Sequence, residues 1–210
     1  MKIFLDFDRT LYDLDALHEA FSMRLRTEGI PQEVYDASRK YFAYGSGKQG
    51  EIYTPEIHER ILRELAPSAS DSPLSEIMRG IASDAQHLVF DEVREVLEEL
   101  GMHERIMLTF GSEEYQKLKI TGAGLDEFID SIIVTTGEKW EEMGKRMEAG
   151  EVAVFIDDHR SYFLQPRGNQ PVHGIHLVRK SDERNFCDGC RAHYHASDLR
   201  EALEIVKNLV

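Results

Sequence analysis

The chain has 210 residues, with 25 lysines and arginines against 39 aspartates and glutamates and a formal net charge of −14. That length suits one domain, or a core with an inserted subdomain, and is ample for a buried interior. The acidic balance, with no basic stripe interleaved with aromatics, argues against nucleic acid or an anionic membrane as the main partner. No apolar run approaches the roughly 20 residues of a membrane helix, so no membrane span is expected. Asp6 and Asp8 interrupt the stretch a signal peptide would need, which makes a cytoplasmic location the expectation.

The first predicted element is residues 2–7 (KIFLDF), an apolar run read as a strand. An extended strand points residues i and i+2 to one side, so a strand persisting to Asp8 would aim two carboxylates the same way at its exit. Like charges that close raise each other's pKa, and a cation, a phosphate-handling site or solvent must make the pair tolerable. Residues 15–88 show helical patterns and no convincing strand. Leu14, Leu17, Phe21 and Leu25 make one stripe, and Ile57, Ile61, Leu62 and Leu65 make another. This stretch reads as a helical subdomain inserted after the first strand, with residues 41–55 its most irregular part.

Further along, DEVREVLEELG places Val93, Val96, Leu97 and Leu100 on one helical face, with Gly101 suited to the C′ position. Strands are expected at 106–110 (IMLTF), 131–135 (SIIVT), 152–156 (VAVFI) and 175–178 (IHLV), with a short one at 193–195. Most are continuously apolar, which marks strands covered on both faces, as in a parallel sheet. EEMGKRMEAG predicts a helix between the third and fourth strands. The last helix, within SDLREALEIVKNLV, carries Leu199, Ala202, Leu203 and Val206 on one face and Asp198 and Glu201 at capping-box spacing. The alternation means an α/β fold with right-handed crossovers.

Chemistry-bearing residues stand at the C-terminal ends of these strands. The first strand ends in Asp6 and Asp8, and the second carries Thr109. The third runs into TTGEK with Lys139, and the fourth ends in Asp157 and Asp158. Open parallel α/β sheets bind ligands at that edge. Clustered carboxylates suit Mg²⁺, a hard cation that prefers oxygen. A carboxylate can attack phosphorus to give an aspartyl-phosphate, and a second carboxyl can protonate the leaving oxygen and later accept a proton from water. A hydroxyl and an ammonium can hold the phosphoryl oxygens.

DFDRTLYD, LTFGS, TTGEKW and FIDDHRS resemble, in order and spacing, the four motifs of the haloacid dehalogenase (HAD) superfamily. The resemblance implies a Rossmann-like parallel sheet core (1–14 and 89–210) with a helical C1-type cap (15–88), and Mg²⁺-dependent phosphoryl transfer. It makes Asp6 the nucleophile and a metal ligand, and Asp8 the general acid/base with its backbone carbonyl on the metal. Thr109 and Lys139 would bind the phosphoryl group. Apart from the resemblance, Gly111 is a candidate substrate contact, and Arg9, between the motif and the cap, is either a substrate contact or a backbone or surface contact. Asp157 and Asp158 would complete the metal site, with Asp158 favoured as the direct ligand. Asp8 points to phosphatases and phosphomutases, since the dehalogenases of this superfamily lack the second aspartate. Many members carry a further aspartate four or five residues past the metal-binding one, where this chain has Tyr162 and Phe163.

The expected function is therefore a phosphatase acting on a small phosphorylated metabolite. A phosphomutase or phosphotransferase using the same aspartyl-phosphate, and a non-catalytic ligand-binding module, are the alternatives. Lys117 and Lys119 compete with Lys139 but read as solvent-facing residues of an earlier helix. Arg39, Lys40, Tyr44 and Lys48 are candidates for reading a substrate from the cap. Cys187 and Cys190, with His193 and His195 nearby, raise a Zn²⁺ site against the plainer reading of a loop with reduced cysteines. His159 reads as a loop residue, His173 and His176 as packing or surface residues, and Trp140 as packing.

Overall fold

The computed structural model describes residues 1–42, 51–67, 71–164, 171–179 and 192–209, which fall into two compact units. The first unit comprises Met1–Asp13, Val89–Phe110 and Leu125–Val210. Its six strands are β1 (Lys2–Leu5), β2 (Glu104–Phe110), β3 (Ser131–Thr135), β4 (Ala153–Asp157), β5 (Val172–Leu177) and β6 (Tyr194–Ala196). They form one sheet in the order β3-β2-β1-β4-β5-β6, and every pairing is parallel. The α/β Rossmann-like class is the one expected.

The reason lies in burial on both faces. Ile3, Phe4 and Leu5 of β1 are fully buried, and β4 is buried along its whole length. Alternate residues of β1–β5 (Phe4, Ile106, Leu108, Ile133, Phe155 and Val172) share one cluster with Trp140, Met143 and Phe163. Trp140 and Met143 belong to α7 (Lys139–Arg146), the crossover between β3 and β4. The helices α5 (Val93–Glu99) and α8 (Leu199–Lys207) pack against each other in the same unit. Asp198 caps α8 by accepting from the Glu201 N–H at 2.9 Å, and Glu201 reaches back to the Ser197 N–H at 2.7 Å.

Two local expectations change. Gly101 does not end α5 in a left-handed C′ conformation. It lies inside a 3₁₀ turn, Leu100–Met102, that tightens the helix end instead. Nor does β1 persist to Asp8. The Asp6 N–H still bonds Ile156 O at 2.9 Å, but the N–H groups of Thr10, Leu11 and Tyr12 then converge on Phe7 O. That turn forces Arg9 into the left-handed region at φ 64°.

The second unit comprises Leu14–Leu88 and Gly111–Gly124. It holds α1 (Leu14–Arg26), α2 (Gln32–Arg39), α3 (Pro55–Leu65), α4 (Leu74–Ala82) and α6 (Glu113–Gly122). Leu17, Phe21 and Leu25 form the buried stripe of α1, and Ile61 and Leu62 that of α3. Thr54 caps α3 by accepting from the Ile57 N–H, with Pro55 at the first helical position. Helix α6, which follows β2 in the chain, packs here against α4. A Cβ on Gly122 would sit 2.4 Å from the carbonyl oxygen of Ala82, so only glycine permits this approach. Among the described residues, no helix is long and apolar enough to cross a membrane.

Candidate active site

The sheet order explains the site. β1 runs between β2 and β4, so Asp6 emerges beside the end of β4, where Asp157 and Asp158 follow Ile156. Asp6, Asp157 and Asp158 are all buried, and each offers a carboxylate oxygen such that the three lie within 4.8 Å of one another. Lys139, the first residue of α7, is 2 % exposed and reaches back into the group. Its Nζ donates to Asp6 Oδ1 at 2.5 Å and to Asp157 Oδ2 at 2.7 Å.

Burial sets the electrostatics. It pushes the Asp6 carboxyl up, Lys139 pulls it back, Asp157 and Asp8 push again, and the result is about 6. Burial also raises Asp157 against the opposing pull of Lys139. Asp158 stands well above the carboxylate range because burial acts together with the neighbouring Asp6 and Asp157. Burial alone would lower Lys139, but Asp157 and Asp6 outweigh it and hold the ammonium charged. Were all three carboxylates ionised, the one ammonium would leave two net negative charges. Hard oxygen donors with that residual charge fit a divalent cation of the Mg²⁺ type.

The two aspartates of β4's end are bonded differently. Asp157 uses both oxygens inside the protein, one for Lys139 and the other for the His159 N–H at 2.6 Å. Asp158 is fixed through its main chain. Its N–H donates to Thr10 Oγ1 at 3.2 Å, and its carbonyl accepts from His176 Nε2 at 2.9 Å. The Thr10 hydroxyl in turn donates to Asp6 Oδ2 at 3.3 Å. Thr10 thus ties the loop after β1 to the loop after β4. Arg179 secures Thr10 from behind, donating to its carbonyl at 2.8 Å while pairing with Glu92 at 2.8 Å and stacking on Phe90.

The other expected residues are placed as follows. Asp8 is half-buried in the turn and lies outside the three-carboxylate group. Thr109 is buried near the C-terminal end of β2, two residues beyond the Met107 that pairs with Leu5. Arg9 occupies the left-handed turn position. Gly111 falls in the helical unit with φ 146°. Lys117 is exposed and pairs with Glu113 at 2.7 Å, as a solvent-facing lysine should. Lys119 is not solvent-facing: it is 3 % exposed, its ammonium over the Tyr115 ring at 5.5 Å. Its four-carbon stem lets a lysine occupy an inward position of α6.

Arg39 pairs with Asp15 at 3.4 Å, and Lys40 opens a 3₁₀ turn. Tyr44, Lys48, Cys187 and Cys190 lie outside the described residues. His193 Nδ1 accepts from the Gly174 N–H at 3.0 Å, which occupies one ring nitrogen of the suggested Zn²⁺ set. Trp140 packs in the core and donates Nε1–H to Tyr162 O. The contributions of Thr10, His176 and Arg179 to holding the carboxylates were not singled out from the sequence. Thr10 sits in the aspartate motif and was the one within reach.

No family model matches this chain, and no curated protein does. Solved structures do. A haloacid dehalogenase-like structure from Burkholderia xenovorans LB400 superposes with a TM-score of 0.77 at 16 % identity, covering 100 % of this chain and 98 % of its own. The Bacillus subtilis protein YfnB, assigned to the HAD hydrolases and bound to magnesium, gives 0.71 at 15 %, covering 98 % and 97 %. The L-2-haloacid dehalogenase of Xanthobacter autotrophicus with chloropropionic acid covalently bound gives 0.70 at 11 %, covering 100 % and 99 %.

Proposed function

We propose that this chain, whose fold is that of the haloacid dehalogenase superfamily, is a Mg²⁺-dependent phosphomonoester hydrolase acting on a small phosphorylated metabolite. Asp6 attacks phosphorus, the bond to the ester oxygen breaks, and an aspartyl-phosphate forms. Asp8 gives its proton to the departing oxygen. It then takes a proton from the water that cleaves the acyl phosphate, which returns Asp6 and releases phosphate. Lys139 and Thr109 hold the equatorial phosphoryl oxygens, where charge accumulates. Asp6, Asp158 and the carbonyl of Asp8 would hold Mg²⁺, which supplies positive charge that lets an anionic carboxylate approach a phosphate. Asp157, with both oxygens already engaged, serves to hold Lys139.

The observation that carries this reading is Asp8, two residues past the buried Asp6 in a turn of its own. The likeness to a dehalogenase supplies the competing reading, in which Asp6 would attack the carbon bearing a halogen. A halide departs without a proton and leaves Asp8 nothing to do, whereas an alkoxide leaving group needs one. The test is hydrolysis of p-nitrophenyl phosphate and a panel of metabolite phosphates, with Mg²⁺ or chelator, by wild type and Asp6→Asn. Phosphate release that requires both Mg²⁺ and Asp6 is expected. Chloride release from L-2-chloropropionate with no phosphate release from any ester would overturn the assignment.

A further inference from the structure

Two carboxylates hold the Lys139 ammonium, and a third contact is aromatic. The Tyr162 ring centroid lies 4.8 Å from Nζ, well inside the cation–π range of about 6 Å. Phe155 lies farther away, at 5.9 Å. Tyr162 sits in the 3₁₀ turn Arg160–Phe163, which follows Asp157 and Asp158. Its ring is itself braced, meeting Phe155 edge-on at 6.2 Å and His159 at 5.7 Å. Its main-chain carbonyl accepts from Trp140 Nε1 at 2.8 Å, and Trp140 directly follows Lys139 in α7. The helix that carries the lysine therefore anchors the residue that covers it.

We propose that Tyr162 is a positioning residue for Lys139: its ring face keeps the ammonium between Asp6 and Asp157 without adding formal charge to a site that already buries three carboxylates. A lysine stem has four rotatable carbons, and fixing it in one rotamer costs side-chain entropy that a further contact on the ammonium helps to offset. A carboxylate at position 162 would attract the ammonium too. It would also bring a fourth negative charge and raise the pKa of the other three. An aromatic ring attracts through its quadrupole alone. The catalytic consequence rests on the reading of Lys139 as the phosphoryl-binding group, but the contact itself does not.

Two readouts on Tyr162→Phe and Tyr162→Leu separate these points. The first is proton NMR of the full chain without substrate. The Lys139 ε-methylene resonance, assigned by its loss in Lys139→Arg, is expected upfield of the exposed lysines because its ammonium lies over the Tyr162 ring. The shift should survive in Tyr162→Phe and collapse in Tyr162→Leu. The second is steady-state hydrolysis of p-nitrophenyl phosphate. Tyr162→Leu is expected to lower kcat/KM by about tenfold, with Tyr162→Phe recovering most of that loss. A wild-type Lys139 resonance among those of ordinary lysines overturns the proposal, and so does a Phe variant as impaired as the Leu variant. If wild type hydrolyses no phosphate ester, the phosphatase reading falls, and the NMR arm alone decides Tyr162.

Discussion

Replacing Lys139 with methionine keeps most of the side chain's length and removes its charge. In the wild type that charge sits 2.5 Å from one carboxylate oxygen and 2.7 Å from another, all three side chains being at most 7 % exposed. Removing one partner of a buried ionic group strands the others, at a cost of about 3–5 kcal/mol. The cost depends on pH in a definite direction. Asp6 already has its pKa raised to about 6 with the lysine present, so without it the carboxyl must rise further. An acid raised above its unfolded value stabilises the fold below that value and loses this contribution as pH rises through the folded pKa. The raised pKa of Lys139 would matter only on the far alkaline side. The variant's deficit should therefore be largest near pH 7.5 and shrink near pH 5. Urea unfolding in chelator, followed by fluorescence of the single tryptophan, measures it, because Trp140 lies in the core of the sheet unit. A deficit below about 1 kcal/mol at pH 7.5, or one equal at both pH values, would refute the account of the lysine as the charge that holds the carboxylates together.

Other outcomes follow from packing. Gly122→Ala places a Cβ against main chain that cannot swing aside, and should cost about 1–3 kcal/mol, read as a lower Tm by far-ultraviolet circular dichroism. An unchanged Tm would mean that α4 and α6 approach less closely than described. Asp198→Ala removes the cap of α8 and should cost about 1 kcal/mol in the same experiment, whereas Asp198→Ser should restore most of it.

The strands were legible because a parallel sheet buries both faces, and runs such as IMLTF and VAVFI have no other use for so many consecutive apolar residues. Asp6, Asp157 and Asp158 were legible for a related reason, each standing where such a run stops, and Lys139 followed from the TTGEK stretch after the third run. What could not be read was side-chain direction within helices and turns. Lys119 sits in α6, whose apolar pattern is weak, so nothing in the local order of residues marked it as inward. That β1 stops short of Asp8 could not be read either, because three N–H groups choosing Phe7 O is a turn decision, invisible to strand periodicity. Tyr162 over Lys139 and Arg179 behind Thr10 join residues 23 and 169 positions apart, and contacts of that span leave no trace in spacing.

The position of β1 also has a consequence for how the chain reaches this state. Lys2 pairs with Glu104 on one side and with Ala153 on the other, so the strand made before the other five of its sheet is the one that must wait longest for neighbours. The ion pair between Lys139 and Asp6 closes a separation of 133 residues. Pairings this remote are entropically slow to form, and β1 lacks its first ladder partner until β2 (Glu104–Phe110) exists and its second until β4 (Ala153–Asp157) exists. Until then KIFL is a sticky edge and Asp6 an ordinary solvated acid. Asp6 acquires its raised pKa only once it is buried and β4 has brought Asp157 beside it.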